Sequence, residues 1–588
     1  MNRAGVNEAA GKGAADQGRI RVGNQGDGTM TLADFRTGLV AAMTVAVTVA
    51  LCVAAPATAA DSDGAVANTT GGQVSGKPLA DGMVVFRGIP YASPPVGGLR
   101  WRPPQPAAPW SGVRDATAFA PACMQPLSPR GALYADDPPK MSEDCLYLNV
   151  WKPAGAAKAP VMVWIHGGAL QAGNLAGPLF DGAGLAKQGV LVVSMNYRLG
   201  VFGFLAHPQL TAESPKHSSG NYGLEDQIAA LIWVRMNIAQ FGGAPDNVTI
   251  FGQSAGGLSA MDLMASPLAR GLFQKAIVQS AYMVSYPELS RARFGQPSAE
   301  GVGGLVAGAL HAADIRDLRA LPADVMEKDA LAVGFVPLPT VDGWVLPHQI
   351  VETLDRGEQA PVPLLVGFNA GEIRSLRGLA PRDPKTSADY EAEVRRRYRD
   401  LADAYLKLYP STDIEESVIA ATRDGLYGWT AERMATKQAA IGQPTFLYLF
   451  EHSYPAATAL KLDAFHASEL PYEFGQIGPG GHLTANWPAP PDTPQEAALS
   501  SAIISYWTSF ARTGVPAAPD QPVWAPFTPG GAYMDFAAQP KASTDLMPGM
   551  YALHEEVITR RRHAGNQNWF ANVGLASPVV PAAAAAPR

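Results

Sequence analysis

The stretch from Val248 to Ala265 sets the tightest limit on how this chain can fold. Val248-Thr249-Ile250-Phe251 is a β-branched and aromatic run, Gly252-Gln253-Ser254-Ala255-Gly256-Gly257 follows it directly, and Leu258 to Ala265 can form a helix. A strand that becomes a helix over so few residues needs glycines two before and two after the central serine, because the backbone passes close to itself there. The serine hydroxyl then projects from a sheet edge with a helix N-terminus beneath it, where negative charge is favoured. Upstream, Pro160-Val161-Met162-Val163-Trp164-Ile165 and Leu191-Val192-Val193-Ser194-Met195 are continuous apolar runs, as expected of strands buried on both faces of a parallel sheet. Between Asp226 and Ala239 the pattern turns helical, with Ile228, Leu231, Ile232, Val234 and Ile238 spaced mainly by three and four, and it stops before Gly242-Gly243. Strand, helix and strand in succession imply βαβ units and an α/β class. Earlier, to about residue 155, β-like runs such as Met83 to Phe86 and Leu146 to Val150 lie in Pro- and Gly-rich sequence and read as strands joined by long loops.

Composition narrows the function. With 588 residues, 47% hydrophobic and 16% charged, there is apolar material for a large core. A formal net charge of −7 and no basic stripe interleaved with aromatics argue against nucleic acid as a partner. Arg395-Arg396-Arg397 and Arg560-Arg561-Arg562 are short clusters that read as solvated faces. His554-Glu555 lacks the second His of a metalloprotease helix, and no Cys/His spacing resembles a zinc site. No metal or cofactor is expected.

The long apolar run lies near the start, from Leu39 to Ala55, preceded by Arg36 and followed by Ala57-Thr58-Ala59-Ala60. That layout is expected of a secretory signal peptide cut near Ala59 or Ala60, with an uncleaved membrane anchor as the alternative. Met30 could be the true start, and Leu51 before Cys52 argues against lipid attachment. Cleavage would leave a secreted or periplasmic protein with no stable membrane association and with two cysteines, Cys123 and Cys145. An even pair in an oxidising compartment suggests a disulfide, the alternative being two buried thiols. Residues 61–570 are expected to form a single domain and 571–588 a disordered Ala/Pro-rich tail.

Within that frame, Ser254 is a candidate nucleophile. His166-Gly167-Gly168-Ala169, just after the run ending at Ile165, can present backbone N–H groups to an oxyanion, a contribution worth roughly 3 to 4 kcal/mol per donor. A serine needs a histidine base, and the base a carboxylate to orient it. Downstream lie His311, His348, His452, His466, His482, His554 and His563, and pattern alone does not choose among them.

From about Phe86 to Pro516 the chain resembles the type-B carboxylesterases, a cholinesterase-like group with the α/β-hydrolase fold. The likeness rests on the elbow and on Phe86-Arg87-Gly88-Ile89-Pro90-Tyr91-Ala92, Ser142-Glu143-Asp144-Cys145-Leu146-Tyr147-Leu148-Asn149, Asn196-Tyr197-Arg198 and Gly220-Asn221-Tyr222-Gly223-Leu224 with Asp226-Gln227. It implies a large, mostly parallel sheet flanked by helices, with an N-terminal antiparallel β extension and loop and helical insertions. Gly367-Phe368-Asn369-Ala370-Gly371-Glu372 and Phe465-His466-Ala467-Ser468-Glu469-Leu470 match further family segments. They nominate Glu372 and His466 as partners of Ser254. The likeness also implies an oxyanion hole from Gly168, Ala169 and Ala255 with Gly167 shaping the loop, a Cys123–Cys145 disulfide, a structural Glu469, and a small-molecule ester as substrate.

Several positions depart from the family pattern. Gly371 and Ile373 flank Glu372 where Asp and Gly are usual, and Gln253 stands where many relatives carry Glu. Ala169 replaces a glycine, and its methyl should crowd esters of tertiary alcohols. Ala135 occupies the position of the cholinesterases' cation-binding Trp, so choline binding by cation–π contact is not expected. Leu170 and Phe335 are candidate pocket-lining residues. The same acyl-enzyme could serve acyl transfer or amide or carbamate cleavage, and neuroligin-like proteins use the fold for binding alone.

Overall fold

A computed structural model of the protein describes residues 65–565 and 573–583. The expected signal segment, residues 1–60, lies outside the described residues. Among those described, no helix is long and apolar enough to cross a membrane.

An 11-stranded sheet organises the described residues. Its order runs Pro540–Thr544, Ala532–Phe536, Thr445–Phe450, Leu364–Asn369, Lys275–Gln279, Gly243–Gln253, Ala159–Ile165, Leu191–Met195, Tyr147–Lys152, Val84–Pro90 and Lys77–Pro78. The strands from Ala532–Phe536 across to Leu191–Met195 pair in parallel. Beyond Leu191–Met195 the pairing becomes antiparallel. A small separate sheet of Val66–Thr69, Gly72–Ser75 and Val113–Asp115 completes the N-terminal β extension.

The apolar runs become central strands because both faces of the sheet are covered. Val161, Val163, Ile165 and Ile250 belong to one buried cluster, and Met162, Trp164, Phe251 and Ile277 to another. The period of two divides each strand between the two cores. Leu191–Met195, Leu364–Asn369 and Thr445–Phe450 are buried along their whole length.

The connections fix where a site can form. After Ala159–Ile165 the chain moves one strand outward to Leu191–Met195, passes through the helix Tyr222–Asn237, and returns to pair on the opposite side as Gly243–Gln253. The ends of Ala159–Ile165 and Gly243–Gln253 therefore face a crevice from which successive connections diverge, the place where open α/β sheets bind ligands. The helix Tyr222–Asn237 is held by Arg198, which donates through Nε and one terminal nitrogen to Asp226 at 2.7 Å each. Gln227 Nε2 donates to Ser259 Oγ at 3.0 Å, tying this helix to the next.

The expected tail requires correction. Residues 573–583 are packed against the protein: Val573, Leu575 and Val580 are buried, the last two in a cluster with Tyr390, Tyr398, Tyr405 and Tyr409. The Val580 N–H donates to Arg397 O at 2.8 Å, and Tyr398 Oη donates to Gly574 O at 2.9 Å. A few well-placed apolar side chains suffice to order a segment whose composition reads as a tail.

Candidate active site

Ser254 sits at the junction between the strand Gly243–Gln253 and the helix Ala255–Ala265, with φ 58° and ψ −125°. For a non-glycine residue that is a strained conformation, costing of order 1–3 kcal/mol. Its N–H donates to Gln279 O at 2.9 Å, and its carbonyl receives the Leu258 N–H at 2.8 Å. The glycines around it are steric necessities. A Cβ on Gly256 would overlap Ile165 O, and one on Gly252 would lie 2.5 Å from the Gly256 carbonyl.

Across the crevice, residues 167–169 follow Ile165. His166 Nδ1 lies 2.9 Å from Gly167 O, and its ring stacks on Tyr197 at 4.5 Å. Burial pulls its pKa down to about 4, so the ring is neutral near pH 7 and donates to that carbonyl. Tyr197 Oη donates to His166 O at 2.8 Å. This leaves the loop firmly placed, with Gly168 at φ 111° and Ala169 at φ 57°. Among the described residues, no hydrogen bond takes up the N–H of Gly168, Ala169 or Ala255.

Glu372 begins a short helix just beyond the strand Leu364–Asn369, and His466 lies on the loop after Phe465, which pairs with Gly371. His466 Nδ1 hydrogen-bonds to Glu372 Oε2. The other carboxylate oxygen, Oε1, accepts from the Asn369 N–H at 2.8 Å. Asn369 also donates through its amide to Phe465 O at 2.8 Å and to Glu469 Oε2 at 2.5 Å, so one residue ties the Glu372 and His466 segments together. On the outer side, Tyr134 Oη lies 2.7 Å from both His466 O, to which it donates, and Ser375 Oγ. His466 Nε2 lies 3.3 Å from Gln253 Nε2. The amide is a donor, so Nε2 is the acceptor and the ring proton stays on Nδ1 beside Glu372.

Behind this pair are two further buried carboxyls. Burial, with the neighbouring Glu372 charge second, raises the Glu469 pKa to about 7. Burial also drives that of Glu473 well above its ordinary value, and Gln279 Nε2 donates to it at 2.7 Å.

Ser254, His466, Gln253 and residues 167–169 all open on one cavity of about 700 Å³. Its wall is mainly apolar and aromatic, including Trp164, Phe180, Leu376, Leu426, Tyr427 and Trp487. Leu170 and Phe335, expected on this wall, are not on it; both are buried in the main core cluster. The wall there is built instead by Ala172 and by Val336, Pro337 and Leu338. Cys123 and Cys145 form a disulfide. Among the described residues, no group of His, Cys, Asp or Glu is arranged to hold a metal ion. Tyr134 and Asn369 were not singled out by sequence; Asn369 lay within a matched segment, whereas Tyr134 sits in a Pro-rich loop without periodicity.

A serine at positive φ between a strand and a helix, at the switch point of a largely parallel sheet and sharing a cavity with a carboxylate-paired histidine, defines an α/β hydrolase. The carboxylesterase family model matches residues 63–552. The chain is 37% identical over 495 residues to the fumonisin B1 esterase of Sphingopyxis macrogoltabida, covering 81% of this chain and 86% of the relative. It is 38% identical over 458 residues to the para-nitrobenzyl esterase of Bacillus subtilis (strain 168), covering 77% and 90%. A solved PNB esterase structure superposes with TM-score 0.72 at 34% identity, over 83% of this chain and 99% of that one. The chain belongs to the carboxylesterase family, and it is a carboxylic-ester hydrolase.

Proposed function

We propose that Ser254 is the nucleophile of this hydrolase, with His466 as its general base and Glu372 as the carboxylate that orients the base. The observation carrying this reading is the shared cavity. Ser254, held out from the elbow, opens on the same space as His466, whose far nitrogen is bonded to the buried Glu372. As Ser254 Oγ bonds to the ester carbonyl carbon, its proton passes to His466 Nε2, and Glu372 stabilises the imidazolium that forms. The carbonyl oxygen becomes an oxyanion received by the N–H groups of Gly168, Ala169 and Ala255, with Gly167 shaping the loop. Collapse breaks the ester C–O bond, and His466 returns the proton to the leaving alcohol. Water, deprotonated by His466 in turn, then attacks the acyl-enzyme, releasing the acid and restoring Ser254.

The test is hydrolysis of p-nitrophenyl butyrate by the purified protein beside a folded Ser254→Ala variant. A fall of at least about a thousandfold in the variant is expected; comparable rates in both would remove Ser254 from the mechanism. We further read the enzyme as exported, with residues 1–60 removed and residues 61–570, joined by the docked segment 573–583, acting as one domain. The Cys123–Cys145 disulfide supports an oxidising destination. Mass spectrometry of the protein isolated from its host should give an N-terminus at Asp61, and an intact N-terminal segment would count against cleavage there.

A further inference from the structure

The cavity wall carries a single acidic residue, Asp136, whose pKa burial raises above the ordinary carboxylate value. Among the described residues lining this space, Asp136 is the one aspartate or glutamate, and no lysine or arginine is present. Its neighbour Asp137 is turned outward, accepting from the Ser128 N–H at 2.8 Å. Asp136 lines the cavity from the loop that also carries Tyr134, and Asn174 Nδ2 donates to its backbone carbonyl at 3.2 Å. No Lys, Arg or His forms an ion pair with Asp136 among the described residues. The wider field has the same sign, the chain carrying a formal net charge of −7.

We propose that Asp136 is a specificity-determining residue that makes the pocket charge-selective, admitting neutral esters and esters bearing a protonated amine and turning away those bearing a free carboxylate. A carboxylate on the substrate would enter an apolar space beside a like charge, with no cation to compensate its lost hydration. A substrate ammonium would meet a partly desolvated carboxylate and pair with it. An uncharged acyl or alcohol group would be held by the apolar wall alone. This rests on the reading of Ser254 and His466 as the reacting groups of the same cavity.

The test uses three p-nitrophenyl esters of matched length: the hexanoate, the 6-aminohexanoate and the monoester of adipic acid. One unit charge several ångströms from another, at an intermediate effective dielectric, is expected to change kcat/KM by about tenfold. The ratio for the amine ester over the carboxylate ester should therefore be on the order of a hundred in the parent enzyme. It should shrink at least about tenfold in Asp136→Asn, with the hexanoate rate as the internal reference for a folded variant. In the parent, the same ratio should fall as salt rises to about 0.5 M, which tests the idea without a substitution. A ratio near one in the parent, or one unmoved by both Asp136→Asn and salt, overturns the proposal. Persistence of all three activities in Ser254→Ala would instead overturn the site reading, a separate outcome.

Discussion

Gln253 and His466 meet at 3.3 Å between the side-chain amide nitrogen and imidazole Nε2, the ring atom proposed to receive the serine proton. The contact suits a ring whose Nε2 is bare. Gln253→Glu would place a carboxylate there and favour the imidazolium, which cannot act as a base. The acid limb of kcat/KM against pH should move upward by about one unit. An acid limb left where it was would show that Gln253 has no electrostatic hold on His466.

Glu372→Gln should lower kcat by about a thousandfold or more while KM changes little, because substrate contacts remain and only the orientation and charge behind His466 are lost. Steady-state kinetics on p-nitrophenyl butyrate would check this. A loss confined to KM would assign Glu372 to binding.

Ala169 combines a positive φ with a methyl group at the cavity. Ala169→Gly should relieve backbone strain of about 1 kcal/mol and make room beside the proposed oxyanion loop. Hydrolysis of tert-butyl esters should rise relative to n-butyl esters. If the parent already cleaves both at similar rates, the methyl does not limit the pocket.

Glu469 gives the fold a pH dependence with a defined sign. Native Glu469 keeps its proton up to about pH 7, whereas an unfolded chain releases it near the ordinary value of about 4.3. Between those values the native state binds more protons, so this group's contribution to stability is lost as pH rises. Urea midpoints measured between about pH 5 and about pH 8 should decline, and Glu469→Gln should flatten the decline. An unchanged slope in the variant would place the titration elsewhere.

The disulfide closes a loop spanning a sequence separation of 22, for which the chain-entropy estimate is ~3 kcal/mol. Replacing Cys123 and Cys145 together by Ser should lower the unfolding free energy by about that much. Equal stability of the two proteins would mean that the unfolded loop is already constrained.

What the sequence disclosed follows from how locally each demand is imposed. The elbow was legible because the turn at Ser254 excludes side chains at Gly252 and Gly256, and that exclusion is written within five residues. The central strands were legible because burial on both faces leaves no polar positions, as in Leu191–Met195. Glu372 and His466, 94 residues apart, share no local pattern, and only the family likeness nominated them. The cavity wall was the least legible part. Phe335 turns into the core while Val336 next to it lines the cavity, since side-chain direction in a loop follows each residue's own backbone angles. Residues 573–583 misled for a related reason, as composition averages over the few side chains that dock.

Cys123 and Cys145 bracket both Tyr134 and Asp136. One covalent ring therefore contains a support for His466 and the acid on the cavity wall, while Ser254 and Glu372 hang from strands of the sheet. Apart from the Tyr134 support, the reacting groups and the acid of the cavity wall are housed in separately anchored pieces of the chain. The segment between the cysteines is thus a natural cassette for exchange, where selection or design can rewrite what the enzyme accepts while the sheet and its elbow stay as they are.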